Sequence, residues 1–140
     1  MDTIIVATPP AVLGLYDTPM WDSIRQRHMA LQCCDACGTW QYPPAPGCTA
    51  CGSEALTWTP VSGRASILSW VVFHRQYLPA YKAPYNAIAV RLAEGPVMIS
   101  NLEGDKPGGS WIGYDVELTY VDMPDGAILP RFALRQDERP

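Results

Sequence analysis

The chain has 140 residues, 48% hydrophobic and 17% charged, which is enough to bury a core and too apolar for a disordered tail. Ten Lys and Arg against fourteen Asp and Glu leave a net charge of -4. That balance argues against a protein built chiefly to neutralise nucleic-acid phosphates or to lie on anionic lipid. Fourteen prolines and eleven glycines favour short strands and tight turns over a helical bundle, and no stretch approaches the roughly 20 apolar residues of a membrane span.

Residues 1–17 read as irregular. The stretch from Met1 to Leu15 carries Asp2 and no Lys or Arg, so it lacks the basic start of a secretory signal. A cytoplasmic location is expected, where thiols stay reduced. Thr18-Pro19 is a helix start, with Thr18 as N-cap and Pro19 as the first helical residue. Met20, Trp21, Ile24 and His28 then fall near one face at helical spacing, which predicts a short helix over 19–28.

All five cysteines lie between residues 33 and 51. Four of them form Cys34-Asp-Ala-Cys37-Gly and Cys48-Thr-Ala-Cys51-Gly. A CxxC turn presents two sulfurs to one ion, and the glycine after it lets the backbone fold back towards them. Two such knuckles complete a four-thiolate shell with no open position for water, so the expected metal is structural. Zinc suits soft ligands at this spacing. Rubredoxin-type iron uses the same geometry, and two disulfides are the alternative in an oxidising compartment. Cys33 neighbours a ligand in an extended run, so its side chain points the other way and is expected to be packed or free.

Between the knuckles, Trp40 to Pro46 is too proline-rich for helix and is expected to carry one short strand and a turn. From Trp58 the apolar pattern alternates. Ile67, Val71 and Phe73 are placed on one face of a long central strand, with Leu68, Trp70, Val72 and His74 on the other. Further strands are predicted at 87–92, 97–102, 116–120 and 128–134. Asp125-Gly126 is the hairpin turn before the last, and 135–140 is a charged tail. The fold class is therefore mainly β: an N-terminal segment with a short helix (1–30), a rubredoxin-like zinc ribbon (31–57) and a five-stranded OB-type barrel (58–134). An SH3-like barrel fits the strand pattern nearly as well.

The series Leu31-x-x-Cys34-x-x-Cys37-Gly38, Pro43-Pro44-x-Pro46-x-Cys48-x-x-Cys51-Gly52-Ser53, Val61-Ser62-Gly63-Arg64-Ala65 and Ser69-Trp70-Val71-Val72-x-His74-Arg75 continues down the chain. Pro79-Ala80-Tyr81, Pro84-Tyr85, Val90-x-Leu92-x-Glu94-Gly95, Ser100-Asn101-Leu102, Ile112-Gly113, Val116 and Leu129-Pro130-x-Phe132 complete it. In that order the pieces resemble the zinc-ribbon/OB-fold family once catalogued as domain of unknown function 35. The resemblance implies an accessory subunit of a thiolase-fold enzyme acting on acyl-CoA, in an assembly of two large and two small subunits. The partner carries the catalytic residues for thiolysis, Claisen-type acyl transfer or retro-aldol cleavage. The small subunit helps form the CoA channel and stabilises the large one.

The residues themselves offer no catalytic set: there are two histidines, no activated free thiol and no evident carboxylate pair. The most functional-looking stretch is His74 to Tyr85, which joins the first two barrel strands, where OB folds bind ligands. His74, Arg75, Tyr77, Tyr81, Lys82 and Tyr85 are the candidate contacts to the partner or to CoA phosphates. A single-stranded nucleic-acid binder is the competing class. Zinc ribbons and OB barrels serve there too, but the cations are scattered and include only two lysines.

Overall fold

The structure, a computed structural model, describes residues 5–10 and 14–135. Of the expected tail at 135–140, the residues 136–140 lie outside them. Helix α1 (Thr18–Arg25) is followed by β1 (Ala30–Cys34), β2 (Trp40–Gln41), β3 (Leu56–Pro60), β4 (Arg64–Phe73), β5 (Tyr85–Leu92), β6 (Val97–Ser100), β7 (Leu102–Glu103), β8 (Asp115–Asp122) and β9 (Ile128–Leu134). The first three strands form an antiparallel sheet in the order β2-β1-β3, and the others a six-stranded sheet in the order β6-β5-β4-β8-β9-β7.

Helix α1 ends three residues before the predicted limit. Asp17, not Thr18, stands at the N-cap, and Met20 and Ile24 face the core. The end is set by a left-handed Arg27 at φ 58°. Its N–H reaches the Ile24 carbonyl and the His28 N–H reaches Ser23, both at 2.9 Å, the paired bonds of a Schellman turn. A glycine ordinarily sits there, so the stop carries no sequence signal. Arg27 is anchored instead by its guanidinium on the Asp122 carboxylate at 2.6 Å. His28 is consequently off the helix and exposed.

The second correction concerns the long strand. Ile67 pairs with Val90 and Ser69 with Ala89, which leaves Leu68 as the extra residue of a β-bulge. A bulge shifts the two-residue period by one. Ile67 is buried, but beyond the bulge Trp70 and Val72 turn inward, while Val71 and Phe73 turn out to solvent. Ile67 therefore does not share a face with Val71 and Phe73.

The third correction is the strand count. The predicted strand at 97–102 is broken at Asn101 into β6, antiparallel to β5, and β7, parallel to β9. The break lets one segment serve both ends of the sheet and closes it into a barrel. Asn86 holds the joint. Its side-chain amide donates to the Leu102 carbonyl at 2.9 Å and accepts from the Leu102 N–H at 2.7 Å. The Asn101 amide in turn donates to the Asn86 carbonyl.

The core is continuous across both sheets. Met20, Ile24, Met29 and Leu31 join Ile67, Ile88, Val90, Leu92, Val116, Phe132 and Leu134 in one buried cluster. Trp70 stacks on Trp111, ring centroids 4.5 Å apart, and so pins the loop between β7 and β8. At the other end, the Thr8 N–H and hydroxyl hydrogen-bond the Asp125 carboxylate at 2.6 and 2.9 Å, tying the N-terminal segment to the β8–β9 hairpin.

The Thr8 amide, then the Ala127 amide, hold the Asp125 carboxyl below its ordinary range. A depressed carboxyl contributes stability above its unfolded pKa, about 3.9, and loses it as the pH falls through the lower folded value. The Thr8 attachment is therefore expected to be intact at neutral pH and to release in acid. A pH titration of the Thr8 amide resonance checks this, with Asp125→Asn expected to abolish the step.

Candidate metal centre and outer face

The two knuckles repeat one backbone pattern. Cys34 N–H donates to the Thr39 carbonyl (2.9 Å) and Gly38 N–H to the Cys34 carbonyl (2.8 Å). Cys48 N–H donates to Ser53 (2.8 Å) and Gly52 N–H to Cys48 (2.9 Å). Gly38 and Gly52 sit at φ 77° and 80°, where a side chain is strained. These bonds bring the sulfurs of Cys34, Cys37, Cys48 and Cys51 within 4.8 Å of one another.

The pairs Cys34–Cys51 and Cys37–Cys48 are each 3.6 Å apart, far beyond a disulfide bond of about 2.05 Å. Four sulfurs placed at about 2.3 Å around one tetrahedral ion would stand roughly 3.8 Å apart. The shell therefore has the size of a single four-thiolate metal site. Cys33 lies outside it, half-buried, with its thiol 3.7 Å from the Gly38 carbonyl.

Electrostatics favour a cation at the centre. Hydrogen bonding by the Thr39 side chain and backbone draws the Cys37 thiol down to about 6. The Cys51 and Ala50 amides lower Cys48. At Cys51 the Ser53 amide favours the thiolate, but the crowding sulfurs of Cys34 and Cys37 prevail and push it up to about 12. Four thiols this close do not all ionise on their own, and a dication removes their mutual repulsion.

The predicted contact loop is exposed and aromatic. Tyr77 meets the Phe73 ring edge-on at 6.2 Å, and Phe73 stacks on Tyr85 at 4.9 Å. Tyr85 is 6.1 Å from Tyr81. Arg75 covers Tyr77, and Arg131 of β9 covers Tyr81. His74, Arg75, Tyr77 and Lys82 are exposed, while Tyr81 and Tyr85 are half-buried. The loop is thus gathered around one ring ladder, whereas the metal shell is formed in the other sheet.

Residue-by-residue reading missed two features. The outer surface of β4–β6 is apolar, because the bulge exports Val71 and Phe73. Arg131 is buried in β9, paired with Glu103 at 3.2 Å. A further cavity of about 600 Å3 lies between Thr8–Pro10, α1, Tyr42–Pro44 and the β8–β9 hairpin. No described helix is long and apolar enough to cross a membrane.

A four-cysteine ribbon ahead of a closed OB-type barrel defines the class as a zinc-ribbon/OB-fold protein. Two family models match it in turn: the ChsH2 rubredoxin-like zinc ribbon domain over residues 21–57, and the ChsH2 C-terminal OB-fold domain over 58–121. The chain belongs to this ChsH2-type DUF35 family. A solved chain described as Ltp2-ChsH2(DUF35) aldolase is 30% identical with a TM-score of 0.81, over 89% of this chain and 98% of that one.

Among curated proteins, a probable enoyl-CoA hydratase alpha subunit of Thermomonospora curvata is 34% identical over 87% of this chain. The 3-oxo-4,17-pregnadiene-20-carboxyl-CoA hydratase alpha subunit of Mycobacterium tuberculosis is 31% identical over 84%. This chain spans only 39% and 37% of those two proteins. A DUF35 domain-containing scaffold protein of Pyrococcus furiosus is 27% identical, over 82% of this chain and 88% of that protein.

Proposed function

We propose that this chain is a non-catalytic zinc-ribbon/OB-fold subunit that seats on a thiolase-fold enzyme acting on acyl-CoA. The similarity to the ChsH2 chain of the Ltp2-ChsH2(DUF35) aldolase, nearly end to end for that chain, carries the reading. The scaffold name of the Pyrococcus furiosus relative supports it, and so do the acyl-CoA names of the two hydratase subunits. The hydratase names belong to proteins more than twice as long, so the proposed chemistry is carbon–carbon cleavage by the partner, of the retro-aldol type. Thiolysis and Claisen-type transfer are the other reactions open to such a partner.

In this reading Cys34, Cys37, Cys48 and Cys51 hold one structural zinc, and the assembly has two large and two small subunits. Arg75 and Lys82, exposed beside the ring ladder, meet CoA phosphates or the partner, with His74, Tyr77, Tyr81 and Tyr85 forming the surrounding contact. The test is co-expression with a thiolase-fold protein of the same organism. The pair is expected to co-elute and to cleave an acyl-CoA that neither polypeptide cleaves alone. Tyr81→Ala with Lys82→Ala is expected to weaken co-elution or CoA binding. Turnover by the isolated chain, or indifference to every thiolase-fold partner, overturns the reading.

A further inference from the structure

In antiparallel pairing, side chains directly opposite one another share a face of the sheet. The register sets Val71 beside Ala87, Phe73 beside Tyr85, Ala89 beside Ile99 and Arg91 beside Val97. All eight lie on the outside of the barrel, because the alternate residues Ile88, Val90, Leu92 and Met98 are buried. Ile99 is 71% exposed and Val71 49%. Between them Ala87 and Ala89 leave a shallow furrow. Phe73 and Tyr85 then carry the apolar surface into the ring ladder of the 74–85 loop. A solvated barrel wall ordinarily alternates apolar-in with polar-out; this one turns Val71, Phe73, Val97 and Ile99 outward as well, with only Ser69 beside Ala89 and Ser66 beside Arg91 as polar neighbours on β4.

Within β4, β5 and the loop that joins them the charge is one-sided, and carboxylates enter this face only on β8, where Asp115 stands opposite Ser66 and Glu117 opposite Arg64. In a chain of net charge -4, residues 55–93 contain no Asp or Glu, yet hold Arg64, Arg75, Lys82 and Arg91. Arg64 faces Glu117 across the strands. Arg91 donates to the Gly95 carbonyl and Arg75 lies over Tyr77. Neither these two nor Lys82 forms an ion pair with a carboxylate among the described residues.

A two-fold contact between copies through this face would set those three cations against their own kind. A nucleic-acid groove needs phosphate neutralisation along its length, whereas the centre here is aliphatic. The complement is a protein surface with an apolar ridge and a carboxylate rim.

We propose that the outer face of β4–β5–β6 is the surface on which this chain seats against its partner. The partner ridge fills the Val71–Ala87–Ala89–Ile99 furrow, and partner Asp or Glu side chains meet Arg75, Lys82 and Arg91. The inference rests on the accessory-subunit reading and assigns its interface to the sheet wall as well as the loop.

The experiment uses the full chain and a thiolase-fold protein of the same organism, with the affinity measured for wild type, Val71→Asp/Ile99→Asp, Ile99→Ser and Arg91→Glu. Thermal unfolding of each variant near that of wild type verifies the fold. The double aspartate variant is expected to bind at least about thirtyfold more weakly, the size of a central interface residue lost. Ile99→Ser is expected to weaken binding to a smaller degree. Arg91→Glu is expected to slow association and flatten its salt dependence.

Wild-type affinity in the double variant overturns the assigned surface while leaving the accessory-subunit reading intact. Failure of the wild type to bind overturns that reading and the surface with it. A wild-type homodimer dissolved by the double substitution assigns the face to a second copy and overturns the proposal. So does salt-sensitive binding of a single-stranded 20-nucleotide DNA that the same substitutions abolish.

Discussion

Stripping the metal, or replacing Cys48 with serine, is expected to unfold the ribbon. Zinc in small thiolate peptides supplies about 10–16 kcal/mol of apparent folding free energy at neutral pH, and little else here replaces it. The segment 35–55 contributes only Cys48 to the buried apolar residues. Its polar ties centre on two buried glutamines: the Gln41 amide donates to the Gln32 side-chain oxygen at 2.8 Å, and Gln32 bonds the Ala45 backbone. Those bonds amount to about 1 kcal/mol each.

The damage spreads through β1, since Leu31 is fully buried in the common core and the Val61 N–H bonds the Met29 carbonyl at 3.0 Å. Metal analysis is expected to give one zinc per chain, and none for Cys48→Ser. Hydrogen exchange of the chelated protein is expected to show residues 30–60 deprotected ahead of β8 and β9. Full protection of the ribbon without metal would refute the site. Cys33→Ser, outside the shell, is expected to retain both metal and fold.

Phe132→Ala is expected to cost about 3–5 kcal/mol, the range for truncating a large core aromatic. Phe132 is fully buried and stands where the barrel closes: it pairs with Leu118 of β8 on one side and Leu102 of β7 on the other. Its N–H also bonds the Asn101 carbonyl at 3.1 Å, at the strand break itself. Truncation therefore removes packing at the one place where parallel and antiparallel pairings meet. Ile99→Ala, an aliphatic loss of similar chemistry on the outer wall, is expected to change stability by less than about 0.5 kcal/mol. Urea unfolding of the two variants separates a core position from a contact position.

The four-sulfur shell was legible because its determinant is local: two CxxC-Gly turns fix their own geometry. The β character and the turn at Asp125-Gly126 were legible for the same reason. What escaped depends on partners distant in sequence. The bulge at Leu68 inserts one residue relative to β5, so the faces of Val71 and Phe73 were assigned with the wrong parity, and the outer apolar wall went unseen with them. The break at Asn101 is imposed by hydrogen bonds from Asn86, fifteen residues earlier, and by pairing with β9. Helix α1 ends on an arginine in a glycine's conformation, held by an aspartate in β8. Each miss lies at a point where tertiary structure overrides a local signal.

The bend at Asn101 also limits how this small domain can associate. The first and last strands of its large sheet are two halves of one segment, and where β6 and β9 diverge, Met20, Trp21 and Ile24 of α1 border the gap. The bend leaves little open backbone at β6 and β7, so addition of a foreign strand at those two margins is discouraged despite a greasy outer wall. At those margins a partner is recognised through side chains, whose identity evolution can change one at a time.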